Sequence, residues 1–159
     1  MVVKGITDED FVNYKKASLF VSAPSCTFKC DKESGERCCQ NSALASAEDH
    51  EISNDELAVR YLCNHITSAV VFGGLEPLDR FDEILSFIRV LRRHYQCPDD
   101  VVIYTGYDKE EITSQLKQLA EYPNIIVKFG RFIPGQQPHH DELLGVNLAS
   151  PNQYAERIS

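Results

Sequence analysis

The hydrophobic positions of the chain fall into four short runs of strand length, separated by longer segments of mixed character. The runs lie at 17–23, 68–74, 100–106 and 124–130. Each is rich in β-branched or aromatic residues and lacks strict alternation, and the last three end in glycine. Continuous apolar runs of this length are typical of strands that are buried on both faces. The pattern therefore predicts four buried β-strands.

The segments between these runs show helical periodicity. Ser53 and Glu56 have capping-box spacing before one helical pattern, and Asp108 and Glu111 form a second pair of this type. The segment 78–95 places apolar residues at helical spacing, and arginines near its end suit the helix dipole. Alternating strands and helices predict an α/β fold with a parallel sheet and right-handed crossovers. We expect one domain over residues 1–159, with a core at about 17–130 and a C-terminal tail at 131–159.

Composition and charge narrow the classes of function. The 159 residues are 43% hydrophobic and 25% charged, which is ordinary for a globular protein. No run of about 18 apolar residues is present, so no membrane span is predicted. The net charge of −8 argues against nucleic acid as the main partner, because phosphate neutralisation dominates such binding. The first residues are polar and acidic, unlike a signal peptide, and we therefore expect a cytoplasmic protein with reduced thiols.

Four of the six cysteines lie close together, just after the first predicted strand. They are Cys26, Cys30 and the adjacent Cys38 and Cys39. In a reducing compartment, clustered cysteines are more often metal ligands than disulfide partners. Their spacing fits no common zinc pattern. The segment is therefore a candidate metal site.

Further candidate residues follow the other predicted strands. Gly73, Gly74 and Glu76 come after the second strand, and Thr105 comes after the third. The carboxyl ends of parallel strands meet at one edge of a sheet, where such sheets bind ligands. Glycines let the backbone approach a bound cofactor closely, and a carboxylate can anchor an ammonium group. We therefore expect these residues to lie beside the cysteine segment and to form a binding site with it.

Together these motifs resemble the radical S-adenosylmethionine (SAM) enzymes, in particular the small activating proteins of anaerobic ribonucleotide reductases. The sequence CTFKC, from Cys26 to Cys30, matches the start of the family motif C-x3-C-x2-C, and CQN at Cys39 resembles its end. GGLEP at 73–77 resembles the GGEP motif of the family, and VVIYTGY at 101–107 resembles the strand that flanks the ribose. The tail GVNLASPNQYAERI also resembles the C-terminal segment of the reductase activators.

The resemblance implies a short, partial parallel (β/α) barrel of the radical SAM type with two cofactors. The first is a [4Fe–4S] cluster on Cys26, Cys30 and Cys39, because soft thiolates suit such a cluster and three of them leave one iron free. The second is SAM, which would bind that iron. The cofactor-binding residues implied for SAM are Cys38, Gly73, Gly74, Glu76 and Thr105.

The activity implied by the resemblance is that of an oxidoreductase that works under anaerobic conditions. It would cleave SAM reductively to a 5′-deoxyadenosyl radical and generate a glycyl radical on a partner enzyme, such as an anaerobic ribonucleotide reductase. The electron donor would be a protein such as flavodoxin or ferredoxin. The resemblance assigns no further catalytic residue in this chain.

Departures from the family pattern leave alternatives open. Eight residues separate Cys30 from Cys39 where the family usually has two, although Gly35 would let this polar insert turn back on itself. Cys38 stands where the family usually has an aromatic residue near the adenine, and it is an alternative third ligand. Phe129 stands where the reductase activators commonly carry aspartate, so another protein or peptide is an alternative substrate. A non-catalytic module that binds one metal ion through all four clustered cysteines is an alternative of a different class.

Overall fold

The protein is described by a computed structural model that covers residues 1–159, and its strands form one six-stranded sheet and two small two-stranded sheets. The strands are β1 (Val2–Val3), β2 (Gly5–Asp10), β3 (Ser18–Ala23), β4 (His50–Glu51), β5 (Ala69–Gly74), β6 (Asp100–Tyr104), β7 (Ile125–Phe129), β8 (His139–Asp141), β9 (Val146–Leu148) and β10 (Tyr154–Arg157). The α-helices are α1 (Lys29–Ser34), α2 (Asn54–Leu62), α3 (Phe81–Arg89) and α4 (Thr113–Leu119). Short 3₁₀ helices lie at Leu44–Ser46, Pro77–Arg80 and Lys109–Ile112, and a π-helical turn at Val90–His94 extends α3.

Four parallel strands form the centre of the large sheet. Its strand order is β10-β7-β6-β5-β3-β2. The pairs β3–β5, β5–β6 and β6–β7 are parallel, with Val70 opposite both Leu19 and Val101. The outer strands β2 and β10 are antiparallel to their neighbours, and the sheet is open because neither has a further partner. The four predicted strands and their parallel pairing are confirmed.

The sequence analysis did not predict the two edge strands. β2 has the sequence GITDED and β10 has the sequence YAER, so neither contains a continuous apolar run. An edge strand needs apolar side chains on one face only, and charged residues protect its open edge. The sheet therefore extends beyond the predicted core of residues 17–130 in both directions.

The predicted helices form, and two of them begin at the predicted caps. The Ser53 Oγ accepts a hydrogen bond from the Glu56 backbone N–H at 3.1 Å at the start of α2. Asp108 and Glu111 form the second capping pair at the 3₁₀ turn that precedes α4, where the Glu111 Oε2 accepts the Asp108 N–H at 2.9 Å. The predicted helix at 78–95 consists of a 3₁₀ turn, α3 and the π-helical turn. None of the helices is both long enough and apolar enough to cross a membrane.

The buried residues of the three longer helices all lie on one face of the sheet. The larger core contains 24 buried residues and joins this face to α2, α3 and α4 through side chains such as Tyr61 and Phe87. The smaller core, on the other face, has 7 buried residues, and none of them comes from a helix. That face is covered by Tyr14, which follows β2, and by Leu144 and Leu148 from the region of β8 and β9. The second face therefore lacks a helical layer.

Candidate metal and cofactor site

A cavity of about 680 Å³ lies at the carboxyl ends of the parallel strands, where sheets of this kind bind ligands. Its lining includes Phe20 from β3, Tyr104 from β6 and Lys128 from β7. Most of the predicted site residues also line it, namely Cys26, Cys30, Cys39, Gly73, Gly74, Glu76 and Thr105. Cys38 is the predicted site residue that lies outside the lining. Residues from distant parts of the sequence thus meet at one edge of the sheet.

Cys26 and Cys30 lie on the segment that leaves β3. The Cys26 Sγ accepts a hydrogen bond from the Phe28 backbone N–H at 3.2 Å. Phe28 has a left-handed conformation, with a φ of 51°, and it precedes α1, which carries Cys30. Burial raises the pKa of Cys26 to about 11 and that of Cys30 to about 12. Both residues are therefore thiols in the metal-free protein, and a metal displaces their protons when it binds.

The insert between Cys30 and Cys39 folds into a polar helical turn on the outside of the protein. α1 ends at Gly35, whose φ of 74° turns the chain back, as the sequence predicts. The Asp31 Oδ1 accepts hydrogen bonds from the backbone N–H groups of Cys38 at 3.0 Å and Cys39 at 2.8 Å. These two bonds return the adjacent cysteines to the vicinity of Cys30.

The two adjacent cysteines have different surroundings. Cys39 lines the cavity together with Cys26 and Cys30, and three thiolates around one cavity can hold different irons of one cluster. The ligand atoms of Cys30, Asp31 and Cys38 instead lie within 4.8 Å of one another, which resembles the spacing around a single metal ion. The donor set of the cavity therefore fits an iron–sulfur cluster, with Cys38 outside it.

The two glycines after β5 bring bare backbone to the cavity. A Cβ atom at Gly73 would lie 2.9 Å from the Phe20 ring. Gly74 has a φ of +85°, and a Cβ there would lie 2.9 Å from the Leu44 side chain. Neither position accepts a larger residue without displacement of its neighbours. The Gly74 carbonyl accepts a hydrogen bond from the Asn41 side-chain amide at 2.7 Å, which joins the CQN segment to this turn.

Glu76 connects the turn after β5 to the turn after β6. It is only 5% exposed. Its Oε1 accepts hydrogen bonds from the Thr105 hydroxyl at 2.8 Å and the Leu78 N–H at 3.1 Å, and its Oε2 accepts one from the Gly106 N–H at 2.8 Å. Burial nevertheless raises the pKa of Glu76 to about 7. Protein donors thus occupy most of the acceptor positions of this carboxylate, and Glu76 holds two cavity loops together.

Lys128 also lines the cavity, and the sequence analysis did not identify it. Lys128 is 6% exposed, and its Nζ donates a hydrogen bond to the Gly130 carbonyl at 2.8 Å. Burial lowers the pKa of Lys128 to about 8, although the nearby Glu76 carboxylate acts in the opposite direction. An ammonium group has three donors, so spare donors and a buried positive charge favour an anionic ligand here. The only signal in the sequence is one lysine within an otherwise apolar strand.

The C-terminal tail packs against the carboxyl end of β7 and forms part of the cavity wall. The Gln153 Nε2 donates to the Gly130 carbonyl at 3.3 Å, and its Oε1 accepts the N–H groups of Ala149 and Ser150 at 3.0 and 3.2 Å. A Cβ atom at Gly130 would lie 2.7 Å from the Asn152 carbonyl oxygen. The tail segment that resembles the reductase activators therefore lies at the site.

Charged side chains connect the cysteine segment to the loops after β6 and β7. Arg131 donates to both carboxylate oxygens of Glu111 at 2.7 Å and lies 3.3 Å from Glu33. Lys29 binds Glu111 at 3.1 Å, and its Nζ lies 4.5 Å from the centre of the Tyr107 ring. Lys29 and Glu33 belong to α1, so this network ties the cysteine-bearing segment to the opposite side of the cavity mouth.

A family model described as a 4Fe-4S single cluster domain matches residues 15–152 of the chain. The match covers most of the sequence, including β3, the clustered cysteines, the cavity loops and most of the tail. The chain therefore belongs to the 4Fe-4S single cluster domain family, which supports an iron–sulfur cofactor. No curated protein and no solved structure matches the chain.

Proposed function

We propose that the protein is a radical SAM enzyme that cleaves SAM reductively and transfers the radical to a protein partner. The observation that carries the proposal is the combination of groups around one cavity: three cysteine thiols, two glycines with bare backbone and the buried Lys128. A ligand that bears both a carboxylate and an ammonium group, as SAM does, is complementary to this combination. The family match supports the cluster that such chemistry needs.

The groups around the cavity have separate chemical tasks in this proposal. Cys26, Cys30 and Cys39 would hold the cluster as thiolates. The Lys128 ammonium binds the SAM carboxylate, and backbone carbonyls of the glycine turn accept hydrogen bonds from its ammonium group. When bound and reduced, the cluster supplies the electron that breaks a sulfonium–carbon bond of SAM. This chemistry would give methionine and, after a hydrogen atom is taken from the partner, 5′-deoxyadenosine.

The arrangement of the helices supports a partial barrel rather than a doubly wound nucleotide-binding fold. Doubly wound sheets carry helices on both faces, whereas (β/α) barrels carry them on the outer face only. Here α2, α3 and α4 contribute to the core on one face, and the core on the other face has no helical residue. We therefore interpret the open sheet as a short partial barrel whose inner face carries the site.

The partner in this proposal is a glycyl radical enzyme, with an anaerobic ribonucleotide reductase as the first candidate. The support is the resemblance of the tail, whose Ala149 and Gln153 line the cavity into which a glycine loop would reach. A flavodoxin or ferredoxin is the proposed electron donor, and the cytoplasm the proposed location. The net charge of −8 gives no support to a nucleic-acid partner.

Product analysis tests the catalytic part of the proposal. Anaerobically reconstituted protein is reduced with dithionite in the presence of SAM, and methionine and 5′-deoxyadenosine are quantified. We expect both products, their loss in Cys39→Ala, and unchanged release in Cys63→Ala, because Cys63 is exposed and does not line the cavity. An intact cluster that never cleaves SAM would contradict the proposal.

Electron paramagnetic resonance tests the partner. A candidate reductase incubated with the reduced protein and SAM should show a glycine-centred radical. SAM cleavage without such a radical would contradict the partner assignment and leave the catalytic assignment intact.

One observation favours a second candidate, a non-catalytic site for a single metal ion. The ligand atoms of Cys30, Asp31 and Cys38 lie within 4.8 Å of one another. Metal analysis of anaerobically purified protein separates the two candidates. About four irons per chain supports the cluster, and stoichiometric zinc without iron supports the single-ion site.

A further inference from the structure

We propose that Asp31 is a positioning residue that folds the cysteine insert, presents Cys39 to the cluster and lowers the reduction potential of the cluster. The inference rests on Cys26, Cys30 and Cys39 as the cluster ligands, as in the proposed function. It goes beyond that function, because the insert departs from the C-x3-C-x2-C pattern and needs its own means of bringing the third thiolate into place.

Asp31 provides most of the directional contacts between the start and the end of the insert. Its Oδ1 accepts the backbone N–H groups of Cys38 and Cys39 at 3.0 and 2.8 Å. The residues between these partners, 32–37, are all exposed, and α1 contains no buried residue. Apolar packing therefore does not fix the insert. Two hydrogen bonds to one carboxylate fix the backbone of the adjacent cysteines instead.

A long insert increases the need for such an anchor. The entropy lost when the ends of a loop come together grows with the length of the loop, so a ligand after eight residues is held less well than one after two. Hydrogen bonds from backbone N–H groups to a carboxylate are among the stronger ones and offset this loss. Asp31 thus holds the third cysteine in place after this long insert, as the short spacing does in the family pattern.

The position of the Asp31 charge gives a second consequence. The Cys30 Sγ lies 3.7 Å from the Asp31 Oδ1. Once Cys30 is a thiolate ligand, this negative charge lies beside the cluster and disfavours the addition of an electron. Charge and hydrogen bonds near the thiolates are known determinants of cluster potential. We therefore infer that Asp31 makes the cluster a stronger reductant.

Three variants of the full-length protein test the two parts of the inference. Asp31→Ala removes both the acceptor and the charge. Asp31→Asn keeps an oxygen that accepts the two N–H groups, removes the charge and replaces the second oxygen by an NH2 group. Glu36→Gln removes a charge from an exposed residue of the same insert whose side chain makes no hydrogen bond or ion pair, and it serves as the matched control. Circular dichroism of the metal-free variants checks that the sheet and helices are retained.

The measurements are iron retained after a fixed challenge with a chelator, and the midpoint potential from an electron paramagnetic resonance titration. We expect Asp31→Ala to retain about tenfold less iron than the wild type, as is typical for loss of a residue that orients metal ligands. Asp31→Asn should retain iron and have a higher potential, and Glu36→Gln should match the wild type in both.

Wild-type iron retention in Asp31→Ala would overturn the positioning role, and so would equal iron loss in Asp31→Asn and Asp31→Ala. An unchanged potential in Asp31→Asn would overturn the electrostatic role. Neither measurement involves SAM cleavage, so a protein that holds the cluster and never cleaves SAM would contradict the proposed function and leave these outcomes unchanged.

Discussion

At the scale of single residues, Cys38 and Cys39 are neighbours in the sequence and have different surroundings in the structure. Cys39 lines the cavity with Cys26 and Cys30, and Cys38 lies outside the lining, close to Cys30 and Asp31. The sequence leaves both as candidates for the third ligand. Cys39 stays the predicted third ligand, because Cys38 is absent from the cavity lining that contains Cys26 and Cys30.

We predict that cysteine substitutions will distinguish the two thiols. Cys39→Ala should abolish the competent cluster, and Cys38→Ala should retain most of the iron and the visible absorbance, because Cys38 does not face the cavity. Iron and sulfide analysis after reconstitution measures the difference. A Cys38→Ala protein that is colourless beside a brown Cys39→Ala protein would reverse the ligand assignment.

Glu76 is a second residue whose environment determines how much its substitution destabilises the protein. Glu76→Ala would leave three donors without an acceptor, two of them buried, so the free energy of unfolding should fall by about 2–4 kcal/mol. Thr105→Val removes one of these donors and the acceptor of the Tyr107 N–H, and it should lower the free energy of unfolding by less, about 1–2 kcal/mol. Urea unfolding measures both values. Equal losses in the two variants would show that the carboxylate does not join the two loops.

At the scale of secondary-structure elements, the ion pairs across the cavity mouth connect α1 with Glu111, which lies in the 3₁₀ helix before α4. Arg131 holds the pKa of Glu111 well below its usual range, at about 2, and its two hydrogen bonds to this carboxylate are the main cause. A carboxyl group with a lowered pKa in the folded state stabilises the protein above its ordinary pKa and loses this contribution in acid.

The lowered pKa of Glu111 predicts how the stability of the protein depends on pH. Glu111→Gln should lower the free energy of unfolding by about 1 kcal/mol at pH 7, because the side chain is 34% exposed and solvent screens the pair. The difference from the wild type should vanish as the pH falls from about 4.5 towards 2. Urea unfolding across this range measures it. Glu110→Gln is the control, since Glu110 has no ion pair, and an equal effect there would show that general helix charge is responsible.

Elements also show what the sequence can and cannot predict. β5 and β7 were predictable because strands buried on both faces have continuous apolar sequences. The glycines after β5 were predictable because their motif is local. The contribution of Lys128 depends on which face of β7 lines a cavity, and that of Asp31 depends on how the insert returns to Cys30. Both arise from tertiary contacts, which no local pattern contains.

At the scale of the whole molecule, docking of the tail determines the shape of the cavity. Gly130 approaches the tail closely, since its Cβ would lie 2.7 Å from the Asn152 carbonyl oxygen. Gly135 also has a positive φ, +73° beside +90° for Gly130, but a Cβ there meets no atom within 4 Å. The two glycines therefore form a matched pair that separates backbone strain from tail docking.

We predict that Gly135→Ala will lower the free energy of unfolding by about 1 kcal/mol, the strain of a left-handed conformation. Gly130→Ala should lower it by roughly 2 kcal/mol more, because the tail must move away. Hydrogen exchange should then be faster at the Gln153 amide in Gly130→Ala only. Similar stability and exchange in the two variants would contradict a close fit between the tail and β7.

The sheet with helices on one face has a consequence for the order of folding. Its helical side consists of consecutive strand–helix units, whose contacts are close in sequence. Its cavity side is closed by distant segments, through bonds such as Lys15 N–H to the Leu144 carbonyl at 2.7 Å and Tyr104 hydroxyl to the Asn13 carbonyl at 2.5 Å. Contacts between distant segments form late, because they require more loop closure. We therefore expect the helical side to form before the cavity does, so that a cluster is inserted late in folding.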